Sequence, residues 1–190
     1  MKRIFCLVLT LCLIFCVCGC TDGKKHDSSK ESNVDKYASQ GVIPEFQVRL
    51  GTSVDSFREI YPPDYEDADP ATVLLTEAEG QTAVCFTTLY ANFYYEKEKI
   101  DNGISVLAVM GDTAYGLELG GTVTKSDIEA AVAAPLTESV ADADRLYFFP
   151  GYVESAKVLT ATFENYRLDF FLLEDFLAAV TLTDTANWTD

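Results

Sequence analysis

The chain echoes itself, and that echo limits its possible folds more than any other feature. Phe46, Val48, Leu50, Gly51 and Thr52 return as Tyr115, Leu117, Leu119, Gly120 or Gly121, and Thr122. Self-similarity at a fixed offset marks a supersecondary unit used more than once. After each copy comes a short helical pattern, residues 54–61 and then 125–134, with Ser53 and Thr124 in the N-cap position and Pro62, Pro63 and Pro135 as stops.

Runs rich in β-branched and aromatic residues follow each helix: 72–77, 81–88, 91–99 and 103–110 in the first copy, 145–149, 157–164, 167–173 and 176–183 in the second. Asp101, Asn102 and Gly103 read as a tight hairpin turn, since Asn and Gly tolerate positive φ. Leu159, Ala161 and Phe163 alternate with Val158, Thr160, Thr162 and Glu164, and Leu168, Phe170 and Leu172 with Arg167 and Asp169. Such alternation places one sheet face on a core and turns the other to water. The expected fold class is α+β: two tandem repeats, each a strand, a short helix and a four-stranded antiparallel meander with the helix packed on one face.

A strand ending in Leu-Gly-Thr, a proline-closed helix and an antiparallel meander, twice over, resembles the tandem-repeat lipoproteins related to the β-lactamase inhibitory protein. The SmpA/OmlA envelope lipoproteins show a similar single unit. The likeness spans about residues 45–184. It departs where such units often place Gly before the helix-ending Pro; here Tyr61 and Ala134 stand there, and the inhibitor's disulfides are missing. The resemblance implies a non-catalytic module that binds another protein across an exposed sheet face, with no recognition motif that can be carried over.

The N-terminus carries an address. Lys2 and Arg3 precede an apolar run from Ile4 to Val17, broken only by Thr10. That is the make-up of a secretory signal peptide, and the run falls short of the roughly 20 residues that span a bilayer. Val17, Cys18, Gly19 and Cys20 resemble the lipobox of bacterial lipoproteins, which implies diacylglycerol on the Cys20 thiol and cleavage before it. The alternatives are an ordinary signal peptide and an uncleaved anchor. The expected organisation is a signal peptide over residues 1–19, a lipidated cysteine and flexible tether over 20–41, and repeats over 42–112 and 113–190. The tether is rich in Lys, Ser, Asp and Gly and buries too little to order itself. The expected location is the extracytoplasmic face of the cell membrane, through lipid on Cys20.

Charge narrows the partners. Two of the 14 basic residues leave with the signal, so 12 face 30 acidic ones, a net charge of −18. Such a surface repels nucleic acid and anionic headgroups, so no nucleic-acid partner is expected and acyl chains must supply the membrane affinity. Of six cysteines, Cys6, Cys12, Cys16 and Cys18 leave with the signal and Cys20 is lipidated. Cys85 then has no partner for an intramolecular disulfide, and its apolar neighbours Ala83, Val84 and Phe86 mark it as a core thiol.

Composition removes most catalytic chemistry. The single histidine, His26, lies in the tether, which excludes histidine-dependent triads in the domain and, with one cysteine, a zinc centre of the usual kind. Gly120 and Gly121 form a turn rather than a phosphate loop. Carboxylate pairs of the glycosidase type stay open, with no spacing that singles one out. Asp64, Glu66, Asp67 and Asp69 form the densest acidic cluster, and Asp64, Asp67 and Asp69 are the candidate metal ligands, for calcium. The alternative is a solvated loop after a helix, and Asp142 and Asp144 are its thinner counterpart in the second copy. Tyr90, Asn92 and Tyr94, with Glu96, alternate along one strand and are the candidate partner-binding residues; cross-strand pairing within the sheet is the competing account. The reading is of a non-catalytic surface lipoprotein, not an enzyme and without cofactor, that binds a protein or envelope component. A solute-binding lipoprotein and a carboxylate-based hydrolase are the alternatives.

Overall fold

Residues 32–61, 76–79, 83–88, 90–142, 145–149 and 153–188 are described in the structure, a computed structural model. Among them are three short helices: α1 (Asn33–Ala38), α2 (Val54–Ile60) and α3 (Lys125–Ala131). Each starts at a polar cap that satisfies otherwise orphaned backbone amides. The Ser53 hydroxyl accepts from the Ser56 amide at 3.2 Å, and the Asp127 carboxylate accepts from both the amide and the hydroxyl of Thr124. Helix α1 lies inside the segment expected to be tether. Ser32 and Asp35 form a reciprocal capping box there, and Val34 and Ala38 reach the core. The Asp35 carboxylate also accepts from the amides of Ala133 and Ala134, tying α1 to the end of α3.

The strands are β1 (Thr76–Glu79), β2 (Ala83–Thr87), β3 (Ala91–Glu96), β4 (Val106–Val109), β5 (Thr113–Ala114), β6 (Leu117–Glu118), β7 (Leu136–Asp142), β8 (Ser155–Thr162), β9 (Tyr166–Leu173) and β10 (Phe176–Asp184). Eight of them form one antiparallel sheet in the order β1-β2-β3-β4-β10-β9-β8-β7, and β5 and β6 pair as a separate two-residue hairpin.

This corrects the expected pair of α+β repeats. The chain is mostly β, with short helices and a single large sheet. Two differences account for it. First, β4 pairs with β10 over Val106–Val109 against Val180–Thr183, so two edges that separate units would leave open are saturated by each other. Second, the leading strand of each expected unit does not join the sheet. Residues 46–52 form a loop held by the Val42–Arg49 bridge and by the Leu50 amide on Gly41 O. Their counterparts supply only the β5–β6 hairpin and turns. Residues 145–149, expected as a strand, are a turn, and the edge strand β7 stands ahead of them. The expected tight turn at Asp101–Gly103 is the end of a 3-10 helix, Lys97–Asn102. Gly103 is required just beyond it: at φ 70° and ψ −156° its Cβ would lie 2.2 Å from Thr52 O.

The register lines up a continuous apolar row on one face. Phe86 faces Phe93, then Leu107, Leu182, Leu168 and Ala161 follow across four more strands. Phe57 of α2 packs on this face, 4.7 Å from Phe86 and 4.9 Å from Phe93 between ring centres, and Ile128 of α3 joins the same cluster. That one cluster draws residues from Val34 to Leu182.

The opposite face was expected to meet water and does not. Tyr94, Val106, Ala108, Ala156, Val158, Phe171 and Ala179 form a second cluster there, covered by Leu146 and Phe148 of the 145–149 turn and by Trp188. The turn can only lie this way because Leu146 and Phe148 are apolar residues two apart, anchored at 4 % and 3 % exposure.

Candidate cleft on the second face of the sheet

Two cross-strand rows build the floor of a cleft. One runs Tyr94, Val106, Thr183 and Arg167; the next runs Asn92, Ala108, Thr181, Asp169 and Thr160. Where they pass under the 145–149 turn, a cavity of about 280 Å³ opens, with Arg145, Tyr147, Phe148 and Trp188 above Thr181 and Thr183. It lies at the small end of ligand sites.

Asp169 is the electrostatic centre, with its side chain 1 % exposed. It accepts from the Thr160 hydroxyl, from Arg167 Nε at 2.8 Å, and lies 3.5 Å from an Arg145 terminal nitrogen. A buried carboxylate is tolerated when its lone pairs are filled in this way. Two guanidinium groups therefore gather on one carboxylate, in a chain whose net charge is −16. The arginines are 35 % and 22 % exposed at their side chains, so both reach from the buried acid toward solvent.

Aromatic rings form the wall. Tyr147 and Trp188 stack at 6.3 Å and 27°, and Tyr94 meets Tyr147 edge-on at 5.3 Å. Trp188 is placed by a turn. The Asp184 carboxylate accepts from the amides of Ala186 and Asn187, and the Trp188 amide donates to Asp184 O. Asn102 donates to the Asn187 side chain at 2.7 Å, which clamps this turn to the end of the 3-10 helix.

The sequence candidates scatter. Tyr90 is exposed, at 38 %, but Asn92 and Tyr94, expected to face a partner, are buried at 7 % each. The 145–149 turn covers them, and Asn92 Nδ2 donates to the Tyr94 hydroxyl and to Phe148 O. Burial, and beyond it the neighbouring Cys85, pushes the Tyr94 hydroxyl far above its usual range. Cys85 is half-buried on the same side, 3.5 Å from the Thr87 hydroxyl, and burial raises its thiol too. Asp64, Asp67, Asp69 and Cys20 lie outside the described residues, as does Asp144; Asp142 sits on β7. Among the described residues no group of three metal-ligating side chains converges, and no helix is long and apolar enough to cross a membrane.

Sequence reasoning missed Arg145, Tyr147, Arg167, Asp169, Thr181, Thr183 and Trp188 as a set. The signal was partial: Arg167 and Asp169 lie two apart on a strand otherwise lined by Leu168, Phe170 and Leu172, which places both on one face. A wider, open hollow of about 730 Å³ at the β9–β10 hairpin is lined by Gly120, Lys157, Asp175 and Phe176 among others. Its Lys157 and Asp175 are paired at 2.6 Å, and it gathers no comparable cluster.

Chemically, the cleft sets two guanidinium groups and a buried carboxylate beside an aromatic wall. Among its described lining residues Asp169 is the one carboxylate, and its oxygens are committed to Thr160 and the arginines. Acid–base hydrolysis of a glycoside calls for two facing carboxyls.

No protein-family model matches the chain, and no curated relative does. The crystal structure of a DUF4309 family protein from Bacillus subtilis is similar at 14% identity and a TM-score of 0.47, covering 79% of this chain and 92% of that one.

Proposed function

We propose that this protein is a non-catalytic binding lipoprotein, held on the extracytoplasmic face of the membrane by lipid on Cys20, and that it captures an envelope component in the cleft beneath the 145–149 turn. The observation that carries the reading is the arrangement around Asp169: one buried carboxylate holding two arginines at the mouth of an aromatic-lined cavity. A fold gains nothing in stability from a buried ion cluster that an apolar set could not supply, so its presence at a cavity favours recognition. The wide sheet face first expected to bind a protein is covered, which moves the binding surface from Tyr94 and Asn92 to the cover itself.

The single tryptophan of the chain, Trp188, lines the cleft and reports on it directly. The full chain in detergent micelles, titrated with envelope extract, should show a saturable change in Trp188 emission. Tyr147→Ala should abolish that change without altering the melting temperature. An unchanged response in Tyr147→Ala would remove the cleft from the account. For the anchor, Cys20→Ala should move the protein from the membrane fraction to the soluble one; retention at the membrane would refute lipid attachment at that residue.

A further inference from the structure

The large sheet ends on a strand that offers itself for pairing. β7 stands last in the strand order and runs beside β8 over all seven of its residues without a bulge. Its outward backbone groups can be identified. The Phe163 amide donates to Tyr166 O, so Phe163 turns its backbone toward β9. That direction alternates along a strand, so Thr160, Val158 and Ala156 turn theirs toward β7, where Thr137, Ser139 and Ala141 face them. The amides and carbonyls of Glu138 and Val140 therefore point off the edge. Val140 is 72 % exposed, the most of any large apolar side chain among the described residues. Edges that must stay unpaired are kept short, bulged or charged. β1, at the other end of the sheet, has four residues, of which Glu77 and Glu79 are acidic. β7 is long and even, and it carries a bare valine.

We propose that two copies of this protein pair through β7, antiparallel about a two-fold axis at Ser139, so that their sheets become one. The pairing does not involve the cleft.

Charge selects the occupant and the register. Near the middle of β7 a symmetric pair can centre on Glu138, Ser139 or Val140. Centring on Glu138 sets that residue against itself, and centring on Val140 sets Glu138 against Asp142. Like charges directly opposite destabilise a sheet. Centring on Ser139 sets Glu138 against Val140, and the outward amides and carbonyls of those two residues then meet. The row through Val140 continues inward to Lys157, which pairs with Asp175 at 2.6 Å. Outward it continues to the partner copy's Glu138, which its own Lys125 holds. Asp175, Lys157, the partner copy's Glu138 and its Lys125 thus alternate in sign, and the two-fold axis repeats the array. Val140 is covered between the stems of Lys157 and the partner copy's Glu138. The open hollow of about 730 Å³ lies beside this row, with Phe176 45 % exposed in its lining. The partner copy's α3, tied to Glu138 through Lys125, comes to its mouth. A chain of net charge −16 resists self-association, and this edge gathers two of its lysines.

The test is cross-linking of the full chain in detergent micelles, beside its mass by sedimentation in density-matched detergent. At the axis the two Ser139 Cα atoms would stand about 4.5 Å apart, as in a pair without hydrogen bonds, which is within disulfide reach. Ser139→Cys should form a linked dimer under mild oxidation, with the bond mapped to position 139 by peptide mass spectrometry. Thr137→Cys should not link to itself, because the register shift sets the two copies about 13 Å apart along the strand. Val140→Glu faces the partner copy's Glu138 with a like charge and should lower the dimer fraction by about tenfold, with circular dichroism unchanged. Equal linking at 137 and 139 overturns the register. A dimer that Val140→Glu leaves intact overturns the β7 interface. A monomer at every concentration, with no link at 139, overturns self-pairing and leaves the edge to a strand of another protein.

Discussion

The two faces of the sheet use the same strands and the same backbone ladder, yet they have been finished differently. On the core face Phe86, Phe93, Leu107, Leu182, Leu168 and Ala161 run in one register row beneath α2 and α3, apolar from end to end. On the opposite face, the positions one residue along give Tyr94, Val106, Thr183 and Arg167, and the cover is a five-residue turn with one tryptophan. The helix-covered face closes completely because rings fill it: Phe57, Phe86 and Phe93 are each at 0 % exposure. The turn-covered face closes around Leu146 and Phe148 and then stops, leaving a cavity edged by charge. A thin cover over a mixed floor leaves a cavity; a thick cover over an apolar floor yields stability.

That contrast can be broken most severely on the core face. Phe93→Ala removes a ring that contacts Phe46, Phe57 and Tyr61. It should cost about 3–5 kcal/mol in chemical denaturation, the usual cost of a large core truncation. A loss under 1 kcal/mol would mean that this face is not the main source of stability. Asp169→Ala strikes the other face and should cost less, about 2 kcal/mol, because the arginines it strands can turn to water. Its distinguishing sign is local: amide exchange of residues 145–149 should accelerate while that of β2 and β3 stays slow. Uniform acceleration would show that the two faces are not separable.

Chemistry at Cys85 sharpens the comparison. Burial raises its thiol pKa, so the thiolate is scarce near pH 7, and alkylation followed by peptide mapping should be slow for Cys85 in the native protein and fast in denaturant. Rapid native alkylation would show that the second-face cover opens readily. The smallest effect belongs to the surface ion pairs Lys125–Glu138 and Lys157–Asp175. Their hydrogen bonds to lysine hold the Glu138 and Asp175 carboxyls below their ordinary values. A depressed carboxyl contributes stability that is present above its unfolded pKa and lost as pH falls through the folded one. Melting temperature should therefore dip slightly as pH falls below about 4, and Glu138→Gln should remove part of that dip.

Local chemistry was legible along the chain. Ser53 and Thr124 stand before α2 and α3 because a short polar side chain next to an apolar-periodic stretch can close the first turn wherever the helix ends up: the Ser53 hydroxyl accepts from the Ser56 amide, and the Thr124 hydroxyl donates to the Asp127 carboxylate. The alternation over 157–173 placed Leu159, Ala161, Leu168 and Phe170 on one face for the same local reason, the two-residue period of a strand. The composition likewise set the acidity, and it left one histidine and one cysteine outside the apolar N-terminal segment and the cysteine that follows it. What the strands would do with one another was not legible. The pairing of β4 with β10 joins residues more than 70 positions apart, and nothing local at Val106 or Val180 names its partner. Nor could alternation tell a face turned to water from one covered by a turn. The same pattern at Asn92 and Tyr94 serves both, and only Leu146 and Phe148 docking from the distant 145–149 turn decided that they are buried. The cleft is a product of that docking. Arg145, Arg167, Asp169 and Trp188 are ordinary surface residues in sequence and become a charged, aromatic cavity only because tertiary packing brings β9, the turn and the C-terminal end of β10 to one place. Short-range rules act through the neighbours each residue carries along the chain, while a site depends on neighbours that folding alone supplies.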